Sequence, residues 1–241
     1  MKRLLILCFG LLLSPLALNA TVMVQINHDH FTYPEPPTLV EVLQPVALTS
    51  QWYWPAAKLY RVSAPQLEQQ RSAVLQLIEQ LKQNAPLAVK SELSALQYQL
   101  KQWRLAERVV IPIDYDRARI EVSFNPRFEP GQYLLQLQKR PSTVQFWGAL
   151  QNSLTVNHRG VTAIADYVAA LSYSEFADTS VVYLIQPDGR IEKSGVASWN
   201  RQHVEAMPGA QVFIPFASSW FNADMQRLND SLLALARHRV E

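Results

Sequence analysis

Residues 63–106 contain no glycine and are dense in Gln, Leu, Glu and Lys, whereas the rest of the chain reads as short strands and turns. Within this stretch Val74, Ile78 and Leu81 recur at steps of four and three. Pro86 interrupts, and then Leu93, Leu96, Leu100 and Trp103 recur at three, four and three. Each series lays one apolar stripe along a 3.6-residue helix, so the stretch is expected to fold as an antiparallel helical hairpin with both stripes buried. Ser63 and Gln66 match a capping box, with Pro65 in the first turn, where its missing N–H costs nothing.

The flanks follow one plan twice. In the first half Val22, Val24 and Ile26 alternate as in a strand, and Tyr33 to Pro37 form a Pro-rich turn. Thr38 and Glu41 match a second capping box ahead of Val42 and Leu43, which predicts a short helix. Strand patterns follow at 58–62 and, beyond the hairpin, at 109–113, 120–124 and 131–138. In the second half strands are expected at 144–150, 181–185, 191–197 and 211–216, with a helix at 161–171. Pro187-Asp188-Gly189-Arg190 is a strong turn signal between two of those strands. Strand, helix, then strands, repeated, predicts duplicated α+β domains. The expected division is 21–140 with the hairpin 63–106 inserted, then 141–217. From Ser218 onward Phe221, Met225, Leu228, Leu232 and Leu235 step by four and three, the stripe of an amphipathic helix of roughly five turns. Its apolar face either docks on the protein body or is offered to a membrane or partner helix.

The N-terminus predicts the compartment. Lys2 and Arg3 precede an apolar run from Leu4 to Leu13, Ser14-Pro15 breaks it, and Ala20 supplies a small residue at the expected cut. Residues 1–20 therefore read as a secretory signal peptide. Of the 22 basic residues two lie in that segment, and the acidic residues number 20, so the remainder is formally neutral. A basic nucleic-acid footprint is absent. The single cysteine is Cys8, inside the leader, so neither a disulfide nor thiolate chemistry is expected in the mature chain. Hydrophobic residues make up 49% and charged residues 17%, enough for a packed core and unlike a disordered chain.

Few residues speak for chemistry. No G-x-S-x-G elbow, H-E-x-x-H motif or phosphate-cradling glycine loop occurs. His28-Asp29-His30 lacks a third metal ligand and reads as an exposed strand end; no metal or cofactor is expected. Asp114 and Asp116 read either as paired carboxylates on one strand face or as a turn at the strand end. Trp52, Tyr53 and Trp54 suit a core or a sugar-stacking surface. Arg108, at the start of an apolar strand, is either a solvated flank or a charge set into a groove for an anionic ligand. Trp199, Asn200, His203 and Glu205 lie in an expected loop, open either to binding or to a purely structural role.

Five segments carry a resemblance: WYWPAA at 52–57, ERVVIPID at 107–114, GQYLLQLQKRP at 131–141, YLIQPDGR at 183–190 and VASWNRQHVEAMPGAQVFIPF at 196–216. With them the whole mature chain resembles the GfcC family of periplasmic capsule and exopolysaccharide biosynthesis proteins. The resemblance implies two β-grasp domains similar to those of Wza-type outer-membrane polysaccharide exporters, a hairpin inserted in the first, and a closing amphipathic helix at 218–241. Arg108 matches a family arginine placed in a cleft, and Trp54, Pro55, Trp199, Asn200, His203, Glu205, Pro208 and Gly209 match motif positions. Ala56 and Ala206 depart from the family's more usual Gly and Pro, changes expected to stay local to turns. The expectation is a non-enzymatic periplasmic accessory protein, monomeric, binding polysaccharide or outer-membrane export proteins. Arg108, Trp54, Trp199, Asn200, His203 and Glu205 are its candidate contacts. The rivals are a polysaccharide-modifying enzyme using Asp114, Asp116, His203 and Glu205, and a purely protein-binding partner acting through the last helix.

Overall fold

The computed structural model describes residues 21–218 and 222–240. The leader reading, and Phe221 of the C-terminal stripe, lie outside the described residues. Two five-stranded sheets form the frame. The first is built from β1 (Val22–Ile26), β2 (Asp29–Tyr33), β3 (Lys58–Arg61), β5 (Glu107–Val109) and β6 (Gly131–Gln136), in the order β2-β1-β6-β3-β5. The second uses β7 (Thr143–Gly148), β8 (Leu154–Asn157), β9 (Val181–Ile185), β10 (Ile191–Gly195) and β11 (Gln211–Ile214), in the order β8-β7-β11-β9-β10. Numbered within its own half, each sheet runs two-one-five-three-four. In each the first and last strands pair in parallel and the other pairs are antiparallel. A short helix joins the second and third strands of each half: α1 (Leu39–Leu43) and α5 (Ile164–Val168). The expected duplication is thus present at the level of strand order.

The hairpin also forms, as α2 (Pro65–Asn84) and α3 (Leu87–Gln102), with the break at Ala85-Pro86. Arg71 Nη1 donates to the Trp103 carbonyl at 2.8 Å and Gln97 Nε2 to Glu79 Oε1 at 2.6 Å, pairings that run antiparallel. In sequence the hairpin connects β3 to β5 of the first sheet. In space its stripe lies elsewhere: Val74, Ile78, Leu93, Leu96 and Leu100 belong to one buried cluster with Phe146, Trp147, Val212 and Phe213 of the second sheet. Trp103 meets Trp147 edge to face at 5.4 Å between ring centres. The first sheet has a separate core around Val24, Ile26, Leu39, Leu43, Leu59 and Leu135.

The last helix, α6 (Asn222–Ala236), lies against α2, and Met225, Leu228, Leu232 and Leu235 are buried in the second core. Of the two readings of its stripe, docking onto the body is the one the structure shows. No helix among the described residues is long and apolar enough to cross a membrane. After α6 the chain returns as β12 (Arg239–Val240), which pairs with β4 (Arg104–Leu105), the residues just beyond the hairpin.

Four local expectations are corrected. Residues 120–124 are not a strand. Asp114 Oδ1 accepts from the Arg117 N–H at 3.0 Å and caps α4 (Tyr115–Ile120), and a 3₁₀ turn follows at Val122–Phe124. Ile120 and Val122 are 81% and 92% exposed, so the alternation has no core to face. Ser63 and Gln66 make no capping box, because the cap position falls on Ala64 with Pro65 already the first helical residue. The Thr38–Glu41 box does form, with Thr38 N–H donating to Glu41 Oε2 at 2.6 Å. The strand expected at 109–113 is instead Glu107–Val109, overlapping it only at Val109, with 110–113 outside any strand, and the helix expected at 161–171 is shorter, at Ile164–Val168.

Truncating Leu228, fully buried where α6 meets the second core, should expose how far α6 holds the fold. Leu228→Ala is expected to lower the unfolding free energy by about 2–5 kcal/mol, read from urea denaturation. A change below 1 kcal/mol (roughly the least expected of such a site) would mean that the helix is not docked in solution.

Candidate functional site

Of the candidate residues, Arg108 is the one set at a junction of the two sheets. This residue is only 8% exposed, in β5 at the edge of the first sheet. Its guanidinium donates to the Ala57 carbonyl at 3.2 Å and to the Pro187 carbonyl at 2.7 Å, both through Nη2, and Nη1 reaches the Tyr60 hydroxyl at 3.4 Å. It also lies 5.2 Å over the Tyr60 ring. The arginine is not a solvated flank, and its guanidinium donors face carbonyls of the chain itself. Among the described residues Nε–H has no partner. Arg108 is among the residues lining a cavity of about 20 Å³, room for a water-sized group and far too little for a sugar, and also among those lining a groove of about 310 Å³ with Arg61, Arg127 and Tyr133. Burial pushes the guanidinium below its ordinary value, against the pull of Tyr60 and Asp188.

Several distant segments meet on this one side chain. Ala57 ends the turn begun by Trp54, whose carbonyl accepts the Ala57 N–H at 2.9 Å. Pro187 belongs to the β9–β10 turn. Gly189 in that turn has φ +91°, and a Cβ there would come within 3.1 Å of Val110 and 3.7 Å of Arg108 Nε. Gln186, in the same turn, donates through Nε2 to the Glu205 carbonyl at 3.1 Å and accepts the Met207 N–H at 3.0 Å, drawing the 205–209 segment in. His238 Nδ1 accepts the Arg108 backbone N–H at 2.9 Å.

Four of the five segments singled out in the sequence, 52–57, 107–114, 183–190 and 196–216, thus contribute residues to one junction between the two sheets. Two family models match the chain. Residues 18–140 match the model described as capsule biosynthesis GfcC, N-terminal, and residues 152–241 match capsule biosynthesis GfcC C-terminal. The chain belongs to the GfcC family. It is also similar to an uncharacterized protein YjbG of Escherichia coli strain K12, at 28% identity over 204 residues, 84% of this chain and 82% of that one. Both matched models are described by capsule biosynthesis, and the role they indicate is in capsule assembly.

The other candidates divide by exposure. Trp54 is half-buried against the core of the first sheet, as is Trp52, which also donates its indole N–H to the Val46 carbonyl at 2.8 Å. Asn200 is structural: Oδ1 accepts the Ala197 N–H at 3.0 Å and Nδ2 donates to the Ser180 carbonyl at 3.0 Å. Gly195 must lack a side chain because its Cβ would stand 2.1 Å from the Asn200 carbonyl oxygen. Trp199, held on this stapled turn, is 78% exposed. His203 Nε2 and Glu205 Oε1 pair at 3.1 Å at the surface, and Arg201 pairs with Asp166 at 2.6 Å. The 203–205 stretch is pinned to the start of α5 by the Ile164 N–H on the Val204 carbonyl at 2.8 Å. Among the described residues no hydrogen bond or ion pair joins Asp114, which caps α4, to the His203–Glu205 pair. Sequence reasoning missed Gln186, Tyr60 and His238. Gln186 lies inside the YLIQPDGR segment but no chemistry marks it there, and Tyr60 and His238 lie outside every quoted segment, so their roles emerge only from their place in the fold.

Two outcomes follow from the junction. Arg108→Met strands the Ala57 and Pro187 carbonyls and should cost about 1–3 kcal/mol of stability, with Arg108→Lys a poor substitute because a more strongly hydrated ammonium lacks the planar face that lies over Tyr60; urea melts of the three proteins check this. His238 must be neutral to accept from Arg108. Burial, and then Arg237, hold it below its ordinary value of 6.5. The unfolded chain therefore takes up the proton first, so stability is full above pH 6.5 and falls as pH drops below it. His238→Asn, which keeps an acceptor but cannot titrate, should flatten that part of the Tm–pH profile.

Proposed function

We propose that this GfcC-family chain is a non-enzymatic periplasmic accessory protein of capsule or exopolysaccharide assembly and export, and that it contacts the polysaccharide through the Trp199 loop. The carrying observation is the exposed indole of Trp199 on a turn that Asn200 staples from both sides. A flat aromatic face held rigid in water is suited to the C–H face of a sugar ring, because it binds without first losing side-chain and loop freedom. The His203–Glu205 and Arg201–Asp166 pairs on the same loop offer polar partners for hydroxyls. Arg108 acts at one remove: it holds the β9–β10 turn, and through Gln186 the loop segment that follows His203. We read each half as a β-grasp domain of the kind found in Wza-type exporters; the two-one-five-three-four strand order with its parallel central pair and single crossing helix supports that reading.

The test is binding of the mature protein to the purified polysaccharide of its own cell, wild type against Trp199→Ala. Binding is expected, about tenfold weaker in the variant with an unchanged Tm. Wild-type protein that ignores the polymer would overturn the polysaccharide contact. A deletion strain with unaltered polymer amount, length and surface attachment would overturn the accessory role itself.

A further inference from the structure

A cleft of about 370 Å³ lies between α3 and the turn after β7, away from the Arg108 junction and the Trp199 loop. Its size falls at the lower end of the roughly 300–1,000 Å³ range of small-molecule sites. Both walls are fixed. Gly148 ends β7 at φ +105°, where a Cβ would strike the Ile214 carbonyl oxygen at 2.2 Å, so the chain turns there on glycine alone. Beyond it the Gln151 N–H donates to the Ser172 carbonyl at 3.2 Å and the Ser174 N–H to the Ala149 carbonyl at 3.2 Å, locking the turn to the 172–176 segment. The opposite wall is α3, and the two are stapled by Ser174 Oγ at 2.6 Å from each oxygen of Glu92.

The lining decides the ligand. Gln99, Gln151 and Asn152 offer amides that both donate and accept, and Leu96 and Phe216 give an apolar floor. The residues lining the cleft include no Lys, Arg or His, and Glu92 contributes a carboxylate. One serine proton cannot fill both carboxylate oxygens, so Glu92 retains acceptor capacity. Burial, with Glu175 adding, holds its carboxyl above the ordinary value against Ser174, as expected of a carboxylate with no cation beside it. Tyr98, 70% exposed, lies one helical turn from the cleft residue Ala95.

We propose that this cleft takes an uncharged, hydroxyl-bearing sugar unit. Amides and the remaining acceptor capacity of the Glu92 carboxylate meet hydroxyls, the apolar floor meets ring C–H groups, and a uronic acid is rejected by like charge. The inference deepens the polysaccharide reading by naming a second contact and its sugar class, and rests on that reading only for the identity of the polymer.

The experiment follows the side-chain amide NMR signals of Gln99, Gln151 and Asn152 in the mature protein. The probes are neutral tetrasaccharides of glucose, galactose and mannose, and a tetragalacturonate, all at neutral pH. At least one neutral probe should shift these signals, Asn152→Ala should weaken that binding about fivefold, and Tyr98→Ala should weaken it too. The tetragalacturonate should leave them unmoved in wild type and shift them in Glu92→Gln. No shift with any neutral probe, or shifts as large with the acidic one in wild type, would overturn the proposal. Trp199→Ala must not alter these shifts. Loss of polymer binding with the shifts intact therefore removes the loop contact alone, and lost shifts with polymer binding intact remove the cleft alone.

Discussion

The two halves of the molecule are held in one body by an apolar stripe that leaves its own sheet. The hairpin is spliced between β3 and β5 of the first sheet, yet Leu93, Leu96, Leu100 and Trp103 are buried with Phe146, Trp147 and Phe213 of the second. Separating the halves would put that whole face back into water, at about 25 cal/mol for each Å² exposed. The other helix of the hairpin, α2, gives α6 its docking surface, and beyond α6 Arg239–Val240 returns to pair beside the end of the hairpin. Everything at the junction depends on this crossing, because it presses the edge strand β5 of one sheet against the β9–β10 turn of the other.

At that junction a single guanidinium acts as a fastener. Its Nη2 donates to one carbonyl from each lobe, while Nη1 and the planar face engage Tyr60, a combination for which a guanidinium is suited. Its surroundings are shaped to admit it: a glycine at 189 clears its path, Tyr60 covers one face, and a neutral His238 accepts from its backbone. The cost is a buried cation bonded to neutral acceptors only, with one N–H unmet beside a water-sized cavity. Such an arrangement is tolerable where rigidity of the attached turn matters, and the attached turn leads through Gln186 to the segment bearing Glu205 and Met207.

Much of the fold was legible in the chain. The 3.6-residue periodicity of α2, α3 and α6 reflects burial on one face, and each helix does bury that face. The alternation at Val22, Val24 and Ile26 likewise marks a strand with one buried side. The errors have identifiable causes. Ile120, Val122 and Phe124 alternate like a strand, but Asp114 starts a helix upstream and the local hydrogen bond prevails over a pattern with no core to meet. The polar strand β2 and the two-residue strands β4 and β12 carry no hydrophobic signal and exist only because a partner edge lies beside them. Trp199 and Trp54 look alike as letters. One is exposed and the other packed, because a Pro-containing 3₁₀ turn folds Trp54 onto the first core while Asn200 holds the Trp199 turn outward.

The sequence by itself determined the elements: a repeated strand–helix–strand plan, a glycine-free hairpin, a terminal amphipathic helix, and segments shared with the GfcC family. Local chemistry suffices for these, since periodicity, caps and turn residues act within a few positions of one another. Only the tertiary structure decided which core the hairpin fills, that the last helix is docked, and that Arg108 fastens two sheets. It alone brought Glu92 of α3 to face the turn after β7. Those outcomes depend on contacts between residues far apart in the chain, and no stripe or motif states which of two apolar surfaces it will meet.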